Sequence, residues 1–280
     1  MNNEKKQTIF TKWSFEDYDY SFNFSLNRPG LYLYRHFKQN IELKKPTILY
    51  KYYGRNDDNL KSLENNYIYF SKPADFNDPF DCLTNRENFI REMDESSSIH
   101  RDNIGVCCFS LVNDNPLMWG HYTNCYSGFC IKFDSELLLD NKNIAINSHI
   151  SYIKNYIPIN PELNTIIKQL QELQIFDDKI KNNMLVDMKI LFEYFWKHYD
   201  WKYEQEYRSI SLTSLAFKRE LNFDRNKVKE IYIGHKMKEK DIGYYNRLIK
   251  IIKEKYSNIK VFEVKPHPLI VKLDFEIIEI

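Results

Sequence analysis

The chain has 280 residues and a formal net charge of +1, with 40 Lys and Arg set against 39 Asp and Glu. It is long enough to bury a substantial core, and its balanced charge gives no overall electrostatic pull toward nucleic acid or a membrane surface. No apolar run approaches the roughly 18–20 residues needed to span a membrane, and the start MNNEKKQTIF lacks the apolar segment of a signal peptide. The expected location is cytoplasmic, where the five cysteines, an odd number, fit as reduced core thiols.

Residues 1–45 read as an aromatic-rich N-terminal arm. Trp13, Phe15, Tyr18, Tyr20, Phe22 and Phe24 nearly alternate with polar residues, the pattern of a strand or hairpin with one apolar face. Asn27–Gly30 is expected to turn and Leu31–Tyr34 to form a second strand. Such an arm packs back on its own domain or, as the alternative, pairs two subunits into a homodimer. Residues 46–280 read as a single domain. It opens with a strand over Thr47–Tyr53, a turn over Gly54–Asp58, a short helix over Asn59–Asn65 with Leu60 and Leu63 inward, and a strand over Tyr67–Ser71. In Asp75–Asp81 the Asn and Asp side chains can bond nearby backbone N–H groups, and Phe76 and Phe80 are expected to anchor the turn in the core. Residues 82–103 read as a charged helix and loop.

Ile104–Asp134 is the stretch around which the domain is arranged. Two apolar runs, Gly105–Ser110 and Gly128–Asp134, read as buried strands, and Asn113–Pro116 supplies a turn and a helix start. The short helix Leu117–Tyr122 then carries Trp119, His121 and Tyr122. Ser151–Ile153 reads as a short strand. Glu162–Gln174 and Lys179–His198 place apolar residues at helical spacing, which predicts a helical layer or lid over about 160–199. Asp200–Leu212 returns to strand. Glu230–Gly234, Lys240–Tyr256 and Lys260–Val264 follow as strand, helix and strand, a β-α-β unit with parallel strands, and Leu269–Ile280 is a last strand at a sheet edge. The fold class is mixed α/β (α+β), a central mixed sheet with a helical insertion.

P-loop, dinucleotide-binding, zincin, paired CxxC and nucleophile-elbow signatures are all absent. The clearest chemical pattern is Glu204-Gln205-Glu206-Tyr207-Arg208. If extended, it puts Glu204, Glu206 and Arg208 on one strand face, continuous with Ile210 and Leu212. His121 is the candidate proton carrier, to be weighed against a half-buried histidine bonded to backbone. Lys51, Tyr52 and Arg55 end the first domain strand, where they could meet a phosphate, and Trp119 and Tyr122 could stack on a planar ring, although aromatics this frequent usually build core. His121, Cys125 and Cys130 lack a suitably spaced fourth ligand, so no metal is expected. Asp78, Asp81, Glu204 and Glu206 would suit a metal-dependent nuclease only if they converged, and the near-neutral charge argues against a nucleic-acid partner.

These pieces together resemble an uncharacterised bacterial domain-of-unknown-function family. The matching segments are Leu49–Tyr52, Tyr69–Asp81, Met118–Tyr122, Gly128–Ile131 and Glu204–Arg208. More distantly, the order of Tyr50–Arg55, Phe109–Tyr122 and Glu204–Glu206 is similar to that of the ADP-ribosyltransferase superfamily. That likeness implies NAD as substrate, with no permanently bound cofactor. Glu206, Glu204 and His121 would be catalytic, and Lys51, Tyr52, Arg55, Ser110, Trp119, Tyr122 and Arg208 would contact NAD. It departs at the first motif, which is not a clear Arg or His, and in having no Ser-Thr-Ser triplet. The expectation is an NAD-consuming enzyme, a bacterial defence or toxin-type effector, acting on a small nucleotide or a protein substrate. A non-catalytic nucleotide or peptide sensor using the same residues is the alternative.

Overall fold

A computed structural model describes residues 8–25, 28–78, 80–82, 104–138, 144–154, 194–212, 219–256 and 258–280. The elements in order are β1 (Thr8–Phe15), β2 (Tyr18–Ser25), β3 (Arg28–Lys38), β4 (Ile41–Glu42), β5 (Ile48–Tyr53), α1 (Asp57–Glu64), β6 (Tyr67–Tyr69) and β7 (Ile104–Ser110). They continue with α2 (Pro116–Tyr122), β8 (Phe129–Asp134), β9 (Ile144–His149), β10 (Ser151–Ile153), β11 (Trp196–His198) and β12 (Glu206–Leu212). The last are β13 (Glu220–Asn222), β14 (Val228–Gly234), α3 (Met237–Lys240), α4 (Ile242–Lys255), β15 (Lys260–Pro266) and β16 (Leu273–Ile277). The mixed α+β class follows directly. The described residues divide into two compact units, one drawn from 1–45, 76–100 and 148–200, the other from 46–75, 101–147 and 201–280.

The second unit is built on an eight-stranded sheet of order β16-β15-β14-β8-β5-β7-β12-β9. The strand–helix–strand pattern at its C-terminal end forms as expected: β14 and β15 pair in parallel, from Glu230 opposite Lys260 to Gly234 opposite Val264, with β16 antiparallel at the edge. Helix α4 begins where the Asp241 carboxylate caps Tyr244 N at 2.9 Å and ends with Lys253 and Lys255, so both ends suit the helix dipole. Its Tyr244, Leu248, Ile251 and Ile252 pack with Leu60 and Leu63 of α1 against Leu49, Ile131, Ile231 and Val261 on one sheet face. The other face carries a smaller aromatic cluster in which Trp119 and Tyr232 are buried and Tyr50, Tyr52 and Phe262 partly so. The period of two along each strand separates the two sets.

In the first unit β1, β2, β3 and β4 form an antiparallel meander. The aromatic alternation does build a hairpin, but three of the four residues of the expected turn Asn27–Gly30 are strand, and Asn27 lies outside the described residues. Arg28, Pro29 and Gly30 lie inside β3, and the ladder takes them in through register shifts between Asn23 and Ser25. Tyr20 and His36 stack with centroids 4.9 Å apart and meet Ser151, whose Oγ lies 2.6 Å from Tyr20 Oη and 2.9 Å from His36 Nε2; Trp196 Nε1 donates to Tyr20 Oη at 2.9 Å.

Two further expectations are corrected in this unit. Trp196–His198, expected as the end of a helix, is strand β11, parallel to β10. A ladder partner and an aromatic run favour extended backbone there over helical spacing. Residues 160–193 of the expected helical lid, and residues 83–103, lie outside the described residues. Phe80 is not a core anchor, being 66% exposed. Asp78 Oδ1 accepts from Phe80 N at 2.8 Å and closes the turn. The interior is held instead by Asp81, ion-paired to Lys197 at 3.3 Å with both side chains buried.

Burial, with a smaller contribution from His149, pushes the His36 imidazole down to about 3, against about 6.5 when unfolded. Below pH 6.5 the unfolded chain takes up a proton that the folded one refuses, so this group's contribution to stability falls as pH falls toward 3. Urea unfolding between pH 7 and pH 5 should show stability dropping by up to about 1.4 kcal/mol per unit near pH 5.5 from this group. The slope should flatten in His36→Gln; an unchanged slope would refute the assignment.

Candidate functional site

The aromatic face of the large sheet also carries a row of polar residues. Glu206 pairs with Ser110, Ser110 with Tyr50, Tyr50 with Lys132, and Lys132 with Glu230, so these five form one row across β12, β7, β5, β8 and β14. Cross-strand partners point to the same side. The next row holds Tyr52, Cys130, Tyr232 and Phe262. A polar row thus runs alongside an aromatic one.

At the β12 end of the row, Arg208 Nε donates to Glu206 Oε1 at 2.6 Å and Nη2 to Oε2 at 3.0 Å. Both side chains are buried, 0% and 3% exposed, so this is a bidentate, charge-assisted pair in a low-dielectric setting. Glu204 does not share their strand. It ends the 3₁₀ turn Tyr199–Glu204, and Gln205 has φ of 44°, a left-handed residue that breaks the alternation between the two glutamates. The extended Glu204-to-Leu212 face read from sequence is therefore corrected: the face begins at Glu206. Glu204 is buried and its carboxylate accepts from the Tyr122 hydroxyl.

The junction is tied to the loop before α2. Ser110 Oγ donates to Glu204 O at 2.7 Å and accepts from Val112 N at 3.1 Å, and Asn115 Nδ2 donates to Tyr203 O at 3.0 Å. Tyr52 Oη donates to Val112 O at 2.9 Å, and Trp119 Nε1 to Asn113 O at 2.7 Å. The polar atoms of Ser110, Tyr52 and Trp119 thus hold backbone. Helix α2 starts at its Asn115 cap and Pro116, as the sequence indicated. It is followed by three left-handed residues, Asn124, Cys125 and Tyr126. Asn124 Oδ1 holds Arg55 N at 2.5 Å, and Gly128 must lack a side chain, because a Cβ there would lie 2.1 Å from Tyr53 O.

The remaining candidates are dispersed. His121 is exposed, with ring contacts to Tyr122 and Tyr203 at 6.5 and 6.1 Å and no hydrogen bond among the described residues. Lys51 points to the helix-covered face, its ammonium 5.5 Å from the Phe109 ring and 5.6 Å from the Tyr53 ring. Arg55 lies beyond the end of β5, where Nη1 meets Asp241 at 2.9 Å. Glu206, Arg208, Ser110 and Tyr52 thus share one face with Tyr50, while Lys51 and Arg55 are directed elsewhere.

The sequence reading missed the centre of the row. Lys132 Nζ donates to Glu230 Oε1 at 3.0 Å, with side chains 23% and 22% exposed, and the Tyr232 hydroxyl donates to the other Glu230 oxygen. Tyr50 lies beside them, its ring 6.2 Å from that of Tyr232 and its hydroxyl without a hydrogen bond among the described residues. Burial, and after it the Glu230 carboxylate, pushes the Tyr50 phenol up; burial and the hydrogen bond to Glu230 do the same to Tyr232. The available signal was a single charge within each apolar run, Lys132 in Phe129–Phe133 and Glu230 before Ile231–Ile233. Among the described residues no three His, Cys, Asp or Glu gather as metal ligands. No helix among them is long and apolar enough to cross a membrane.

A model of the family described as protein of unknown function (DUF2971) matches residues 118–209, about a third of the chain. The match takes in Met118–Tyr122, Gly128–Ile131 and Glu204–Arg208, three of the segments on which the resemblance rested, and leaves Leu49–Tyr52 and Tyr69–Asp81 outside. No curated protein and no solved structure matches the chain.

Arg208→Met should deprive the buried Glu206 carboxylate of its bidentate guanidinium contact and cost about 3–5 kcal/mol in denaturant unfolding. Glu206→Leu combined with Arg208→Met should recover most of that loss. A single variant as stable as the parent would mean that the pair is not buried as described.

Proposed function

We propose that this chain binds a small nucleotide on the polar and aromatic face of its large sheet without turning it over. The observation that carries the reading is the state of the two carboxylates that an NAD-consuming enzyme would use. Glu206 gives both oxygens to Arg208 and is buried, and Glu204 is buried against Tyr122. A carboxylate that must stabilise an oxocarbenium-like transition state has to face the substrate, and breaking a buried bidentate pair to do so carries a cost of several kcal/mol.

Binding is supported by the neighbouring groups. Lys132, Glu230 and Tyr50 are half-buried donors and acceptors in the middle of the sheet, and Phe262 stacks on Tyr232 at 5.3 Å. A partly apolar surface with a few converging polar groups is the usual composition of a small-molecule site. The pair is neutral as a whole, which suits the sugar and base of a nucleotide better than its phosphates.

Thermal and calorimetric titration with NAD, ADP-ribose and ATP tests this reading. At least one should stabilise the fold, by about 2.7 kcal/mol at a hundredfold excess over Kd, and incubation with NAD should release no nicotinamide. Nicotinamide release that Glu206→Gln abolishes would establish the ADP-ribosyltransferase-like enzyme instead. Failure of all three to bind would overturn the proposal.

A further inference from the structure

We infer that Lys132 and Glu230 form a seat for a vicinal diol, the 2′- and 3′-hydroxyls of a ribose, an inference that rests on the nucleotide reading and specifies it. The two residues are directly opposed on β8 and β14, 3.0 Å apart, so an ammonium donor and a carboxylate acceptor stand side by side. Each hydroxyl of a diol donates one hydrogen bond and accepts others. One can donate to Glu230 while its neighbour accepts from Lys132. A phosphate would be drawn to the lysine but repelled by the carboxylate, and a lone ammonium ligand would meet the reverse conflict.

The surroundings favour a sugar ring at this place. Among the described residues Lys132 makes one side-chain hydrogen bond, to Glu230, which leaves donors for a ligand. The Tyr232 hydroxyl donates to the second Glu230 oxygen and holds the carboxylate in the row. Tyr50, opposite Lys132 on the other side, presents an unbonded hydroxyl and a half-buried ring. Phe262, stacked on Tyr232, supplies apolar surface beside it. The charge pair lies on two inner strands of the sheet, where such groups need a partner or a solvent path to offset the cost of burial.

Calorimetry with adenosine and 2′,3′-dideoxyadenosine on the full chain isolates the diol from the phosphates. Adenosine should bind at least about tenfold more tightly, as loss of hydrogen bonds to charged groups implies. Glu230→Gln and Lys132→Met, checked for an unchanged circular dichroism spectrum, should erase that preference. D-ribose competing as well as adenosine would keep the diol seat and assign it to a free sugar. Equal binding of the two nucleosides, or none by either while NAD, ADP-ribose or ATP binds, would overturn the diol seat and leave the nucleotide reading standing. No binding by any of them would overturn both.

Discussion

The ion pair between Glu206 and Arg208 is the constraint on which the second unit depends. Two residues apart on β12, they necessarily share a face, and with both withdrawn from water the bidentate contact offsets part of the cost of burying each charge. On the neighbouring strand β7, Glu206 lies opposite Ser110 and Arg208 opposite Cys108. Ser110 in turn bonds the carbonyl of Glu204 and the amide of Val112, so the entry to β12 and the loop leading to α2 are set by one hydroxyl. Tyr52 and Trp119 complete the loop through Val112 and Asn113. The family match begins inside α2 and ends inside β12, so it takes in Trp119, Glu204 and the ion pair but not Tyr52, Ser110, Val112 or Asn113.

The local elements were legible because each is specified by neighbours in sequence. Asn115 and Pro116 start α2, Leu60 and Leu63 turn α1 inward, and the change from period two to helical spacing and back marks β14, α4 and β15. The separation of Glu204 from Glu206 was not legible, because it depends on a left-handed Gln205, a residue type with no special liking for that conformation. Alternation likewise shows that Tyr50 and Lys51 oppose each other across the sheet, but not which of them faces the helices. That is decided by where α1 and α4 dock.

The half-buried pair illustrates the same limit at the candidate site. Lys132 and Glu230 are 98 positions apart and meet only because β8 and β14 are adjacent in the sheet. In sequence each is one charge among 79 such residues, with nothing nearby to distinguish it. The residues that did attract notice, the glutamates around Gln205, are both buried, Glu206 against Arg208 and Glu204 against Tyr122. Function in this reading moves three strands along the same row, to groups that keep partial access to solvent.

The most direct test of that shift is the NMR spectrum of the full chain with carbon-13-labelled tyrosine rings, recorded as ADP-ribose, NAD and ATP are added in turn. Tyr50 and Tyr232 stand on the proposed binding face, whereas Tyr53, Tyr207 and Tyr244 belong to the cluster on the opposite, helix-covered face. The account expects at least one nucleotide to move the resonances of Tyr50 and Tyr232 in a saturable way while those of Tyr53, Tyr207 and Tyr244 stay in place. Shifts confined to the helix-covered set, or none with any of the three, would contradict it.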